Sequence, residues 1–249
     1  MSYAKVVEEA KKEISGRKQN AADRLILTAC DTWKKGDQIN LWTYWQGFQL
    51  DDIDEKGVDI LLAGQDWGNP DRGKAKELCD RIKQLQSGNL GSAYIKEGAS
   101  ATDRNLAELF KIFDCDIYSR NPGKRLFFTN YVLSYRTGDQ SESGGMTEAL
   151  MLRDKRLFDK LVKAIKPKII ICLGKMTFEA VSGKKANDFI KTLQNGKPHK
   201  AFFSGDKSIP VYGVAHCGAW GTRNVGGMEK MKENWMFIAE EYSDKYGTE

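Results

Sequence analysis

Four short apolar runs punctuate the chain: Val58 to Ala63, Leu126 to Thr129, Ile169 to Leu173 and Val211 to Ala215. They are near-continuous rather than alternating, the pattern of strands buried on both faces of a parallel sheet. The gaps between them hold segments with apolar residues near i, i+3, i+4 spacing, which predicts helices over Asp71 to Ser87 and Asp103 to Phe113, Thr147 to Ile165, and Lys175 to Leu193. Thr102 or Asp103 is the expected cap of the second. Parallel strands need such crossovers, so the pattern predicts an α/β sandwich with right-handed connections. The opening MSYAKVVEEAKKEISG reads as an amphipathic helix, and Gly227 to Tyr246 as a closing one. Cys30 to Gln49, with Trp33, Trp42, Tyr44, Trp45 and Phe48, has no strong period and reads as an irregular arm laid against the sheet edge. The turn-rich stretch Tyr135 to Gly145 reads as a mobile loop. No repeat or low-complexity tract divides the chain, so residues 1–249 are expected to form one domain, with an irregular aromatic-rich N-terminal arm over about 1–55.

Composition narrows the class. The 249 residues are 41% hydrophobic and 29% charged, a globular profile that excludes disordered and fibrous chains. No stretch approaches the roughly 20 apolar residues of a membrane span, and the start lacks a signal-peptide apolar block, so a soluble intracellular protein is expected. The net charge of +5 permits an anionic partner without demanding one. Basic residues concentrate in two places, seven against two acidic from Arg153 to Lys168 and five against one from Lys184 to Lys200, which fits either solvated helix faces or a polyanion footprint. Cys30, Cys79, Cys115, Cys172 and Cys217 lie at least 36 residues apart, and the only histidines are His199 and His216. Such spacing suits neither a metal site nor a disulfide framework, so reduced thiols, no metal and no cofactor are expected.

Ligands of open parallel sheets bind outside the carboxyl ends of the strands, so the first polar residues after each run carry the candidate chemistry. The first run ends in Gly64-Gln65-Asp66-Trp67-Gly68, the second in Asn130, the third in Gly174 and the fourth in His216-Cys217-Gly218. An acid, a carboxamide and an imidazole thus converge on one rim. Each has a structural alternative: Asp66 capping a turn, Asn130 satisfying a strand end, His216 hydrogen-bonded in the core. No dinucleotide, P-loop or nucleophile-elbow motif is present. Cys217 and His216, neighbours on extended chain, should point to opposite faces, which disfavours a Cys–His nucleophile.

Four stretches, LLAGQDWG, GASATDRNLAELFKIF, LFFTNYVLSYRTG and VYGVAHCGAWGTRN, together resemble the uracil-DNA glycosylase superfamily in order and spacing, from about Val58 to Asn224. The resemblance implies a three-layer α/β/α sandwich with a four-stranded parallel sheet and a pocket for a nucleotide flipped out of DNA. It implies that Asp66 positions water and faces the oxocarbenium-like sugar, and that His216 donates to uracil O2 as charge builds there. Asn130 would read the amide edge of the base, Tyr94 would form an aromatic platform beneath it, and Gln65 would contribute backbone. Trp67 and Gly68 complete the base-binding turn; Trp67 stands where the motif has proline, and Gly68 where some members carry a thymine-excluding tyrosine. Cys217 and Gly218 replace the usual proline and serine, which implies a less rigid histidine loop. Lys175, Trp220 and Arg223 are the expected DNA contacts, either of the last two as a wedge in the vacated stack, although a tryptophan near a strand end is also a core candidate.

The expected function is therefore base excision, hydrolysis of the N-glycosidic bond of uracil or a related damaged pyrimidine, by a monomer working on DNA in the cytoplasm, or in the nucleus of a eukaryote, without contact with membranes. The alternative is a repurposed relative that binds a nucleobase, nucleotide or protein partner without cleavage.

Overall fold

All four apolar runs lie side by side in one sheet. The structure, a computed structural model, describes residues 1–16, 25–26, 44–46, 52–66, 100–119, 121–133, 135–136 and 146–247. Strands β1 (Leu25–Ile26) and β2 (Tyr44–Gln46) precede β3 (Val58–Gly64), β4 (Leu126–Asn130), β5 (Tyr135–Arg136), β6 (Pro167–Leu173), β7 (His199–Phe203) and β8 (Asp206–Val214). The main sheet has the order β2-β4-β3-β6-β8-β7, while β1 and β5 form a separate antiparallel pair. The inner four, β4-β3-β6-β8, are parallel, and β2 and β7 are antiparallel edges. The four-stranded expectation is thus corrected to six strands. The edges were missed because β7 alternates between half-buried and exposed residues and begins inside a basic stretch, and β2 has only three residues.

Helices cover both faces. They are α1 (Tyr3–Gly16), α2 (Ile53–Lys56), α3 (Ala101–Phe110) with a 3-10 turn at Lys111–Phe113, α4 (Glu148–Leu152), α5 (Lys155–Ile165), α6 (Lys175–Ser182), α7 (Phe189–Gln194), α8 (Ala219–Asn224) and α9 (Met228–Tyr246). Neighbouring strand residues point to opposite faces, and β4 shows it: Phe127 meets Tyr3 of α1 edge-on at 5.9 Å, whereas Phe128 meets Phe110 of α3 at 5.4 Å. Trp235 of α9 then packs on Phe110 at 5.3 Å, and α1 is tied to α5 by Glu9 and Glu13 against Arg156 and Lys160. The helix expected for the opening residues is thus present as α1, docked on α5. Tyr44–Gln46 does lie at the sheet edge, as a strand; most of Cys30 to Gln49, the helix expected over Asp71 to Ser87 and residues 137–145 lie outside the described residues.

The caps explain where helices start and break. Ser100, not Thr102 or Asp103, caps α3, its hydroxyl accepting from the Asp103 N–H at 3.3 Å, because the cap must precede the first helical residue. The single helix expected over Thr147 to Ile165 is two, divided at Arg153–Asp154, with Thr147 capping the first. The helix expected over Lys175 to Leu193 also divides, since Gly183 and Asp188 adopt left-handed backbone, which ends α6 and precedes α7. Among the described residues no helix is long and apolar enough to cross a membrane.

Candidate functional site

The strand register defines the rim. Gly64 of β3 stands opposite Asn130, Ala63 opposite Cys172, and Leu173 of β6 opposite Val214 of β8. Two residues past this row come Asp66, Lys175 and His216, all at the carboxyl edge of the parallel strands. The strands that lead into Asp66 and His216, β3 and β8, lie two strand spacings apart, roughly 10 Å. The chain lays β4 on one side of β3 and β6 on the other, so the direction of sheet growth reverses beside β3, the usual place for a ligand crevice.

On β3 and β4 the ladder continues past the last strand residues. Tyr131 N–H donates to Gly64 O at 2.8 Å, and Val132 N–H to Gln65 O at 3.0 Å, which holds the turn carrying Asp66 against β4. Buried Tyr131 anchors this extension through its ring on Phe158, 4.7 Å between centroids. Asp66 is half-buried, and its Oδ2 accepts from Gln65 Nε2 at 2.8 Å. The Asn130 carboxamide lies over the Cα of Gly64, using the space left by the missing Cβ.

The histidine loop is tied on every side. His216 is exposed and its Nδ1 accepts from the Gly218 N–H at 3.0 Å. An accepting Nδ1 carries no proton, so the neutral ring bears its proton on Nε2 as a donor. Gly218 O accepts from Thr222 N–H at 3.0 Å and from Thr222 Oγ1 at 3.1 Å. Asn105 of α3 donates its Nδ2 to Cys217 O at 2.7 Å across 112 residues of sequence. The α8 backbone passes so close that a Cβ on Gly221 would lie 1.9 Å from His216 O. The loop expected to be loose without its proline is thus clamped by α3 and α8. Thr102 and Asn105 were not singled out as site residues. Thr102 Oγ1 and His216 Nδ1 would both lie within 3.1 Å of a Cβ on Gly218, so a side chain at 218 would crowd both.

Cys217 is fully buried whereas His216 is exposed, and burial raises the Cys217 thiol well above the usual range. A buried thiol of that kind is a poor nucleophile. Trp220 is 75% exposed, which removes its core alternative, and Arg223 lies over its ring with 5.9 Å from the guanidinium carbon to the centroid. Lys175 is exposed at the start of α6, near Glu179 at 3.8 Å. Tyr94, Trp67 and Gly68 lie outside the described residues. Among the described residues no cluster of three or more His, Cys, Asp or Glu side chains is placed to hold a metal.

The basic run from Arg153 to Lys168 resolves toward ion pairing. Arg156 and Lys160 meet Glu9 and Glu13, Lys155 meets Asp159 at 2.6 Å, and Lys168 meets Asp59 at 3.1 Å. These pairs tie α1 to α5 and Lys168 to the start of β3. No protein-family model and no curated protein matches the chain.

Proposed function

We propose that this protein is a DNA base-excision glycosylase of the uracil-DNA glycosylase type, hydrolysing the N-glycosidic bond of uracil or a related damaged pyrimidine extruded from DNA. The observation that carries the reading is the exposed His216, its Nδ1 engaged by the Gly218 N–H, on the same sheet edge as Asp66 and Asn130. That arrangement supplies a neutral donor at one end of the rim, a carboxylate at the other and a carboxamide beside it.

In this reaction the bond from sugar C1′ to the base nitrogen breaks, and its electron pair leaves with the base. Negative charge grows on the base O2, where the His216 Nε2–H meets it, while positive charge grows on the sugar facing Asp66. Water then bonds to C1′, and its proton passes toward Asp66. Fixed donors and charges of this kind need no reorganisation as the charge develops, and losing one donor costs about 10²- to 10³-fold in rate. Asn130 offers a donor and an acceptor together, matching the alternating amide edge of uracil.

The test is strand cleavage of uracil-containing single- and double-stranded oligonucleotides after alkali. Wild type should release base and expose alkali-labile sites, and Asp66→Asn and His216→Ala should each slow this by about 10²-fold or more. Identical traces from wild type and Asp66→Asn across all lesions and mismatches would remove the enzymatic reading and leave the binding relative.

A further inference from the structure

We propose that the surface leading from His216 across α8 to α7 is a track for a single unpaired DNA strand, with Trp220 as the platform on which a base beside the excised nucleotide stacks. The identity of the polymer rests on the glycosylase reading; the unpaired state of the strand is new. An indole left 75% in water contributes little to folding, and this one stands in the first turn of the helix that follows the histidine loop. Arg223, one turn on and on the same helix face, covers one side of its ring. A wedge entering a duplex must lie between bases on both of its faces. Here the protein's own cation takes one of them. A platform needs one open face, and a cation beside the ring strengthens stacking on it.

Charge on the neighbouring helix extends the same track. Gln194 Nε2 of α7 donates to Asn224 O at the end of α8, at 2.9 Å. Lys191 lies one turn back from Gln194 on the same helix face. Lys191 and Arg223 are exposed, and among the described residues neither has a carboxylate partner. This contrasts with the α5 side, where Lys155, Arg156 and Lys160 are paired. The available cations and the exposed aromatic ring thus share one surface, the combination that follows a single strand without reading its sequence.

The test measures fluorescence anisotropy of labelled oligo-dT, alone and annealed to oligo-dA, with the full chain. Single-stranded dT should bind more tightly than the duplex. Trp220→Ala should weaken single-strand binding by about 5- to 150-fold, the range for losing one stacked base, while Trp220→Phe keeps most of it. Lys191→Gln and Arg223→Gln should each flatten the salt dependence by about 0.7 in log–log slope. Circular dichroism checks that the variants fold, as an exposed position should allow. Equal or tighter duplex binding, no binding to either form, or a folded Trp220→Ala that binds dT like wild type would overturn the proposal. Because oligo-dT holds no uracil, these outcomes are independent of the base-release assay, so either reading can fail without the other.

Discussion

The carboxamide oxygen of Asn130 lies where a side chain on Gly64 would begin: a Cβ built on Gly64 would stand 2.2 Å from Asn130 Oδ1. The two residues are register partners on adjacent parallel strands, so the glycine sets the direction in which the amide lies. Gly64→Ala should push Asn130 aside and reduce base release as far as Asn130→Ala does. The added methyl should also cost about 1–3 kcal/mol of stability through overpacking. Steady-state kinetics beside denaturant melts check both, and wild-type kinetics in Gly64→Ala would show that the amide's placement is immaterial.

Asn105 should act on the reaction through the histidine loop. Removing its amide leaves the Cys217 carbonyl without that donor, at a cost of about 1–3 kcal/mol. Asn105→Asp keeps the shape but turns an acceptor toward the carbonyl, so both Asn105→Ala and Asn105→Asp should lower kcat with little change in KM. A positional effect of this kind would be refuted by Asn105→Asp behaving as wild type.

The buried thiols should be inert in the native protein. Desolvation raises Cys115 to about 12 and pushes Cys172 and Cys217 higher still. Iodoacetamide followed by peptide mapping should label these three only after denaturation, and Cys217→Ala should retain base release. Rapid native labelling of Cys217, with loss of activity, would revive the thiol as a nucleophile.

His199 should make stability depend on pH. Its ring stacks on Phe189 at 4.8 Å between centroids, and burial there lowers its pKa; Lys175 adds to the lowering, while the Phe189 carbonyl and Glu179 oppose it. A base with a depressed folded pKa takes up its proton more readily when unfolded. Its effect is absent above the unfolded value of about 6.5 and becomes destabilising as pH falls below it. Urea midpoints at pH 7.5 and 5.5 should therefore fall more for wild type than for His199→Phe. Equal shifts in the two proteins would assign the pH response to other groups.

Much of the fold is legible in the apolar pattern, because strands buried on both faces cannot tolerate polar residues and so announce themselves. Ile169 to Leu173 became β6 with only Pro167 and Lys168 added, and Val58 to Ala63 became β3 with Gly64 added. The edge strand β7 escaped because one side of it faces water, where Lys200 and Phe202 are exposed, so it forms no continuous buried apolar run. Helix breaks at Gly183 and Asp188 escaped because helical spacing of apolar residues continues across them.

The rim residues could be picked from the sequence because strand ends are marked by the first polar residue after an apolar run, and parallel strands present those ends to one edge. Sequence alone therefore determined that Asp66, Asn130 and His216 belong to the same edge of a sheet. Only tertiary structure decided strand order, which sets β3 between β4 and β6, and hence how far apart the three lie. It also decided that Asn105 grips the histidine loop from 112 residues away and that Trp220 faces water. Contacts between distant segments depend on how helices dock, and local hydrophobic periodicity carries no record of that.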